Sequence, residues 1–380
     1  MNIGVDEMDL MLLRMAIWGD KNLNLYSVYP HNQSNVDEEW LTIMDSFSRQ
    51  ALDGLLPDAI ALLSKSQQPS MAVKMKMIAR QLQVERMNEA MNRELMAFVF
   101  ELEQQAIPYV LLKGQGVSSL YPNPLHRVCG DIDLYVPKVY LKLAGSLLTN
   151  FGALRTSEIR NHINYQAHGV EWELHHRIYY FQKDNRNRLF MEYVDEETSK
   201  TPEYVTIGEG RVRVFSPTMN ALLLLSHIVN HFYCEGVGLR QLCDYALLLG
   251  KKCSEIDSEL LLERLEALSL SRAYRVFGFI CVHYLGMPNE ALVQKPSDSE
   301  VQLAHRVMAD CLSGGNFGQA DSNRRQTLWQ KIVFYTRFLR RLWRYRQLCP
   351  SEALWWPLAK INRALKGEVR ISEEKSALNC

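Results

Sequence analysis

The segment Gly130-Asp131-Ile132-Asp133-Leu134-Tyr135-Val136 is the part of this 380-residue sequence best suited to chemistry. Read as a strand, it sends alternate side chains to opposite faces. Asp131 and Asp133 share one face, and Ile132, Leu134 and Val136 share the other. The two carboxylates then stand about 7 Å apart along the backbone. With no basic residue in the strand, they repel each other unless cations lie between them. Oxygen donors in this arrangement suit Mg²⁺, which keeps waters and substrate phosphates in its shell. A second segment, Val170-Glu171-Trp172-Glu173-Leu174-His175-His176, alternates in the same way. Val170, Trp172 and Leu174 form its apolar face, and Glu171, Glu173 and His175 its polar face. Beside the aspartate pair, such a strand supplies a third metal ligand and a base. His175 shares the face of the acids; His176 is expected on the core side.

A turn precedes the aspartate pair. Ile107-Pro-Tyr-Val-Leu-Leu112 reads as a buried strand that runs into Lys113-Gly114-Gln115-Gly116 and then a short helix. A turn of this kind presents backbone N–H groups where a phosphate can sit. Lys113 adds a positive charge beside it, and Arg127 is expected to add another.

The order strand, Lys-Gly turn, short helix, Tyr121-Pro-Asn-Pro124, Arg127, Gly130-Asp-Ile-Asp-Leu134 resembles the nucleotidyltransferase superfamily typified by DNA polymerase beta and the antibiotic nucleotidyltransferases. It resembles more closely a group of uncharacterised nucleotidyltransferase family proteins found mainly in bacteria. Val170 to Arg177 and Leu239 to Leu249 extend the likeness, which covers roughly residues 106–250. The resemblance implies a metal-dependent transfer of a nucleoside monophosphate from a nucleoside triphosphate to a hydroxyl of a small molecule, sugar or protein. It implies that Asp131, Asp133 and Glu173 hold two Mg²⁺ ions, with Mn²⁺ as a substitute. Glu173 fits the third position better than Glu171 and helps deprotonate the attacking hydroxyl. Lys113 and Gly114 match the start of the phosphate loop, and His175 and Arg127 are assigned to the nucleotide. The loop carries Lys-Gly where the superfamily usually has Gly-Ser, and the third acid is Glu rather than Asp. The competing class is a binding or scaffold module that keeps the fold and transfers nothing.

The elements that must position these residues fall into zones. Residues 1–106 are expected to be helical, with helices over 37–52 and 58–63 and a long one over 70–102 capped by Ser70. Met71, Met75, Ile78 and Leu82, then Val84, Met87, Met91, Leu95, Phe98 and Leu102, recur at helical spacing and are expected in the core. Residues 107–216 are expected to form a small α+β core around one mixed sheet, with strands at 107–112, 131–136, 153–157, 162–168, 170–176, 204–207 and 211–215. Residues 217–367 are expected to be a C-terminal helical region, and 368–380 a polar tail.

Composition narrows the class. Lysine plus arginine equals aspartate plus glutamate, 43 against 43, which disfavours a nucleic-acid partner. No apolar run reaches the roughly 18 residues of a membrane span, and the acidic start is no signal sequence, so a cytoplasmic location is expected. The eight cysteines lack metal or redox spacing. His227 and His231 lie one helical turn apart without the glutamate of a zinc-protease pair, and read as packing. Arg240 and Asp244 read as an intrahelical ion pair. Arg324 to Arg346 reads as an amphipathic helix with Leu328, Ile332, Tyr335, Leu339 and Leu342 as its stripe, and its basic face suits an acidic partner.

Overall fold

The computed structural model describes residues 3–20, 36–158, 161–178, 180–234, 236–314, 336 and 338–355. The chain begins with helices α1 (Ile3–Trp18), α2 (Val36–Arg49), α3 (Leu56–Leu62) and the 34-residue α4 (Met71–Gln104). The centre holds β1 (Val110–Leu112), α5 (Gly114–Ser118), β2 (Asp131–Tyr135), α6 (Leu141–Asn150), β3 (Leu154–Glu158), β4 (His162–Ala167), β5 (Val170–His175), α7 (Asp184–Ser199), β6 (Glu203–Ile207) and β7 (Gly210–Val214). Helices α8 (Pro217–Cys234), α9 (Leu239–Lys251), α10 (Ser258–Ala267), α11 (Ser271–Leu285) and α12 (Asp298–Gly314) follow.

The fold is mixed α+β. Five strands form one sheet in the order β1-β2-β5-β4-β3, with β2 and β5 parallel and the other pairs antiparallel. The last two strands were expected in the same sheet, but β6 and β7 form a separate hairpin. The sheet separates two cores. Ile132, Leu134, Trp172, Leu174, Ile163 and Tyr165 face a small core roofed by α4 and α6. There Phe98 of α4 meets Trp172 edge to face at 5.3 Å. Helices α1–α3 and α8–α12 share a larger core that reaches the opposite side of the sheet through Val110, Leu112 and Tyr135.

Helix α4 corrects one expectation. Ser70 caps it, its Oγ accepting from the Val73 N–H. Its buried line runs through Val73, Met77, Val84, Asn88, Met91, Leu95, Phe98 and Leu102. Met71, Met75, Ile78, Leu82 and Met87 lie exposed on another side. The helix carries apolar residues on two faces, and periodicity alone cannot say which one meets the sheet. Asn88 belongs to the buried face because its amide donates to the carbonyls of Leu125 and Arg127, each at 2.7 Å.

Most of the expected basic helix at 324–346, the end of the expected helical region 217–367 and the polar tail lie outside the described residues. In the described part, Phe338 and Leu342 are buried, while Leu339, expected in the apolar stripe, is half exposed. No described helix is long and apolar enough to cross a membrane.

Candidate metal and nucleotide site

The alternation that sends Ile132, Leu134, Trp172 and Leu174 into the small core sends Asp131, Asp133, Glu173 and His175 to the other face. Parallel pairing of β2 with β5 places Asp133 directly across from Glu173 and Asp131 across from Glu171. One oxygen from each of Asp131, Asp133 and Glu173 can be chosen so that all three lie within 4.8 Å of one another. Glu171 is exposed and outside this group. The acids of the two segments therefore converge, as the strand patterns suggested.

The three carboxylates are not equivalent. Asp133 is the most buried, at 2% exposure. Its Oδ1 lies 3.2 Å from Lys113 Nζ and accepts from His175 Nε2 at 2.8 Å. Burial works to raise the Asp133 carboxyl, but the Lys113 ammonium and the His175 hydrogen bond hold it well below the usual carboxylate range. Asp131 has no ion-pair partner among the described residues. Burial first, and then the Asp133 charge, push its carboxyl up to about 7 against the opposing pull of Lys113. His175 responds in kind. Burial disfavours its charge, yet its hydrogen bonds to Asp133 and Glu173 push it up to about 9. Burial likewise opposes the Lys113 charge, and Asp133 leads the groups that raise it above the ordinary lysine value.

Lys113 owes its position to backbone geometry. It adopts φ of 51° and Gly114 adopts φ of 40°. This left-handed pair reverses the chain as β1 ends and turns it into α5. A non-glycine residue in that region is uncommon and costs strain. The result brings the ammonium back over β2. Gln115 follows, 2% exposed, with neither amide atom hydrogen-bonded. Nothing in its residue type marks it for this position; the signal in the sequence is its place directly after the Lys-Gly pair.

Arg127, expected to add a charge beside the phosphate turn, is engaged by α9. Its guanidinium grips Asp244 of α9 with two hydrogen bonds of 2.7 and 2.6 Å, and the pair is buried. Tyr121 donates to the same carboxylate at 2.8 Å. The expected intrahelical pairing of Asp244 with Arg240 is thus superseded by a tertiary one, and Arg240 donates to the Val128 carbonyl at 2.8 Å. Spacing along one helix could not reveal a partner 117 positions away.

His227 and His231 of α8 pack ring on ring at 4.2 Å, with Tyr180 edge-on to His227. Neither belongs to a metal-capable group among the described residues. His176 follows β5 and is half-buried rather than in the core. All described cysteines are free.

Three carboxylates at this separation, one of them without an ion-pair partner among the described residues, are a donor set that fits a hard divalent cation. Residues 37–286, more than half of the chain, match the family described as uncharacterised nucleotidyltransferases. The chain belongs to that family, and so to the nucleotidyltransferase class of enzymes. No curated protein matches its sequence. Two of the solved structures similar to this chain show the likeness at low identity. One is the solution structure of the antibiotic-resistance factor ANT(2'')-Ia, with 13% identity over 52% of this chain and 97% of that one, at a TM-score of 0.34. The other is the crystal structure of an antigenic nucleotidyltransferase-like protein from Paracoccidioides brasiliensis, with 16% identity over 58% and 96%, at a TM-score of 0.32.

Proposed function

We propose that this protein transfers a nucleoside monophosphate from a nucleoside triphosphate to a hydroxyl of a small molecule, sugar or protein. The observation that carries the reading is the convergence of the Asp131, Asp133 and Glu173 oxygens within 4.8 Å on one sheet face. These three side chains would hold two Mg²⁺ ions, or Mn²⁺ in their place. Bound there, the ions would neutralise charge on the entering and leaving oxygens of an in-line displacement. The acceptor oxygen bonds to the α-phosphorus, the bond to the pyrophosphate oxygen breaks, and the hydroxyl proton passes to Glu173. Lys113 and the Gly114 turn face the triphosphate, and His175 holds Asp133 in position. Arg127 acts at a distance, by fixing the segment that leads into β2.

The contacts of Lys113 and His175 with Asp133 favour one competing reading, a binding module in which side-chain cations replace the metal. The test is a screen of labelled triphosphates against cell extract, with wild type beside Asp131→Asn/Asp133→Asn. The proposal expects labelled product from wild type alone. Equal labelling by both proteins removes the enzymatic reading.

A further inference from the structure

The sheet face that carries the three acids also carries a second group of ligating atoms. His162 opens β4 and stands directly across from His175 of β5. The two rings lie 4.6 Å apart. His162 Nε2 is 3.3 Å from one Glu173 oxygen, and His175 Nε2 is 3.2 Å from the other. One ligand atom from each of the three residues can be chosen so that all lie within 4.8 Å of one another. His162 is 8% exposed, yet neither ring nitrogen has a hydrogen-bond partner. Burying an imidazole in that state is unfavourable. An apolar side chain at the start of β4 would carry no such cost. Two positions along the same face, Asn164 stands across from Glu173 and keeps its carbonyl oxygen unpartnered, although its amide donates to Ser157.

We infer that His162, Glu173 and His175 form a nitrogen-containing cation site beside the carboxylate centre, and that it takes a divalent transition metal such as Mn²⁺, Co²⁺ or Zn²⁺ in preference to Mg²⁺. Imidazole nitrogen suits transition metals, whereas Mg²⁺ prefers an all-oxygen shell. Two imidazoles and one carboxylate leave coordination positions open for water or a substrate oxygen. His175 must give up the Nε2 proton that it now donates to Asp133, which frees that carboxylate for the neighbouring centre. The inference rests on the proposed carboxylate centre through the shared Glu173. It differs in predicting nitrogen in the coordination shell.

The test is pulsed electron paramagnetic resonance of the full-length protein loaded with Mn²⁺ in the presence of excess Mg²⁺, together with Mn²⁺ and Mg²⁺ titrations. Wild type is expected to show coupling to two histidine nitrogens. His162→Gln should retain at most one and lose about tenfold or more in Mn²⁺ affinity, with Mg²⁺ affinity unchanged. Asp131→Asn should weaken Mg²⁺ binding and keep both couplings. Bound Mn²⁺ without nitrogen coupling in wild type overturns the inference and leaves the carboxylate centre standing, and that measurement needs no variant to fold. Unaltered Mn²⁺ affinity in a folded His162→Gln also overturns it. A protein that binds neither ion overturns both readings.

Discussion

Asp131→Asn should make the metal-free protein more stable while abolishing transfer. Asp131 sits on the same strand face as Asp133, opposite Glu171 and near Glu173, without an ion-pair partner among the described residues. Its carboxyl is pushed up from 3.8 to about 7, by burial first and by Asp133 second. The direction fixes the sign. A carboxyl that holds its proton more tightly when folded than when unfolded costs the fold stability as pH rises from the unfolded pKa through the folded one. Below pH ~4 both states are protonated and nothing is lost. Above pH ~7 the whole penalty is present. Three pKa units correspond to about 4 kcal/mol at most. Partial solvent contact at Asp131 and screening reduce this to about 1–3 kcal/mol. For a chain of this size that is a rise of roughly 1–4 °C in Tm. The assay is thermal unfolding in a chelating buffer at pH 6 and pH 8.5. The variant should exceed wild type at both values, with the larger gap at pH 8.5. Adding Mg²⁺ should then raise the wild type and move the variant little, since a ligand stabilises only the protein that binds it. A variant less stable than wild type at pH 8.5, or a gap that narrows as pH rises, would refute the assignment of Asp131 as a carboxylate whose burial and repulsion by Asp133 outweigh the pull of Lys113.

Lys113→Met should destabilise the metal-free protein by roughly 3–5 kcal/mol, because it leaves the buried Asp133 without its ammonium partner. Mg²⁺ should restore part of the loss, and an unchanged unfolding midpoint would contradict the pairing. Arg127→Ala and Asp244→Asn should each cost about 3–5 kcal/mol, and the double substitution Arg127→Ala/Asp244→Asn clearly less than the sum of these singles. Additive urea midpoints would count against the clamp. His126 touches Asp58 through Nδ1 and Glu85 through Nε2, each at 2.7 Å. Burial opposes its charge, but the two acids raise its pKa. Stability from this contact is complete below pH ~6.5 and fades as pH climbs through the raised folded value. Urea midpoints between pH 6 and pH 9 should fall in wild type and flatten in His126→Gln.

What the sequence made legible follows from what strands and helices enforce locally. The alternation of Asp131 to Val136 and of Val170 to His175 needs no tertiary information, so both strands and their polar faces could be read directly. The chemistry of unlike neighbours across a sheet was less visible. His162 looked like one more residue of an expected strand, and nothing within β4 says that it lies across from His175. Helix α7 was missed because its sequence is mostly polar and its buried residues, Asn187, Phe190, Val194 and Glu197, include two polar ones. Asp244 was read through Arg240, its neighbour one helical turn away, and Arg127 through the phosphate turn that precedes it. A folded chain offered each a better partner from another element.

The helices outside the sheet hold the segment that delivers the aspartates. Residues 121–130 hold no regular element beyond a short turn at Pro124–His126, yet they set where β2 begins. They are tied from three directions. Asn88 of α4 holds the Leu125 and Arg127 carbonyls. Asp58 of α3 and Glu85 of α4 hold the His126 ring, while Gly54 packs so close that a Cβ there would collide with the His126 carbonyl. Asp244 of α9 holds Arg127 and Tyr121, and Arg240 holds the Val128 carbonyl. A strand that begins with two mutually repelling carboxylates cannot rely on its own polar face for rigidity. Its apolar face and these outside ties must overcome the repulsion, and every tie enters from a helix that precedes or follows the sheet in sequence. The flanking helices thereby fix where β2 begins, and with it where Asp131 and Asp133 stand beside Lys113 and Glu173.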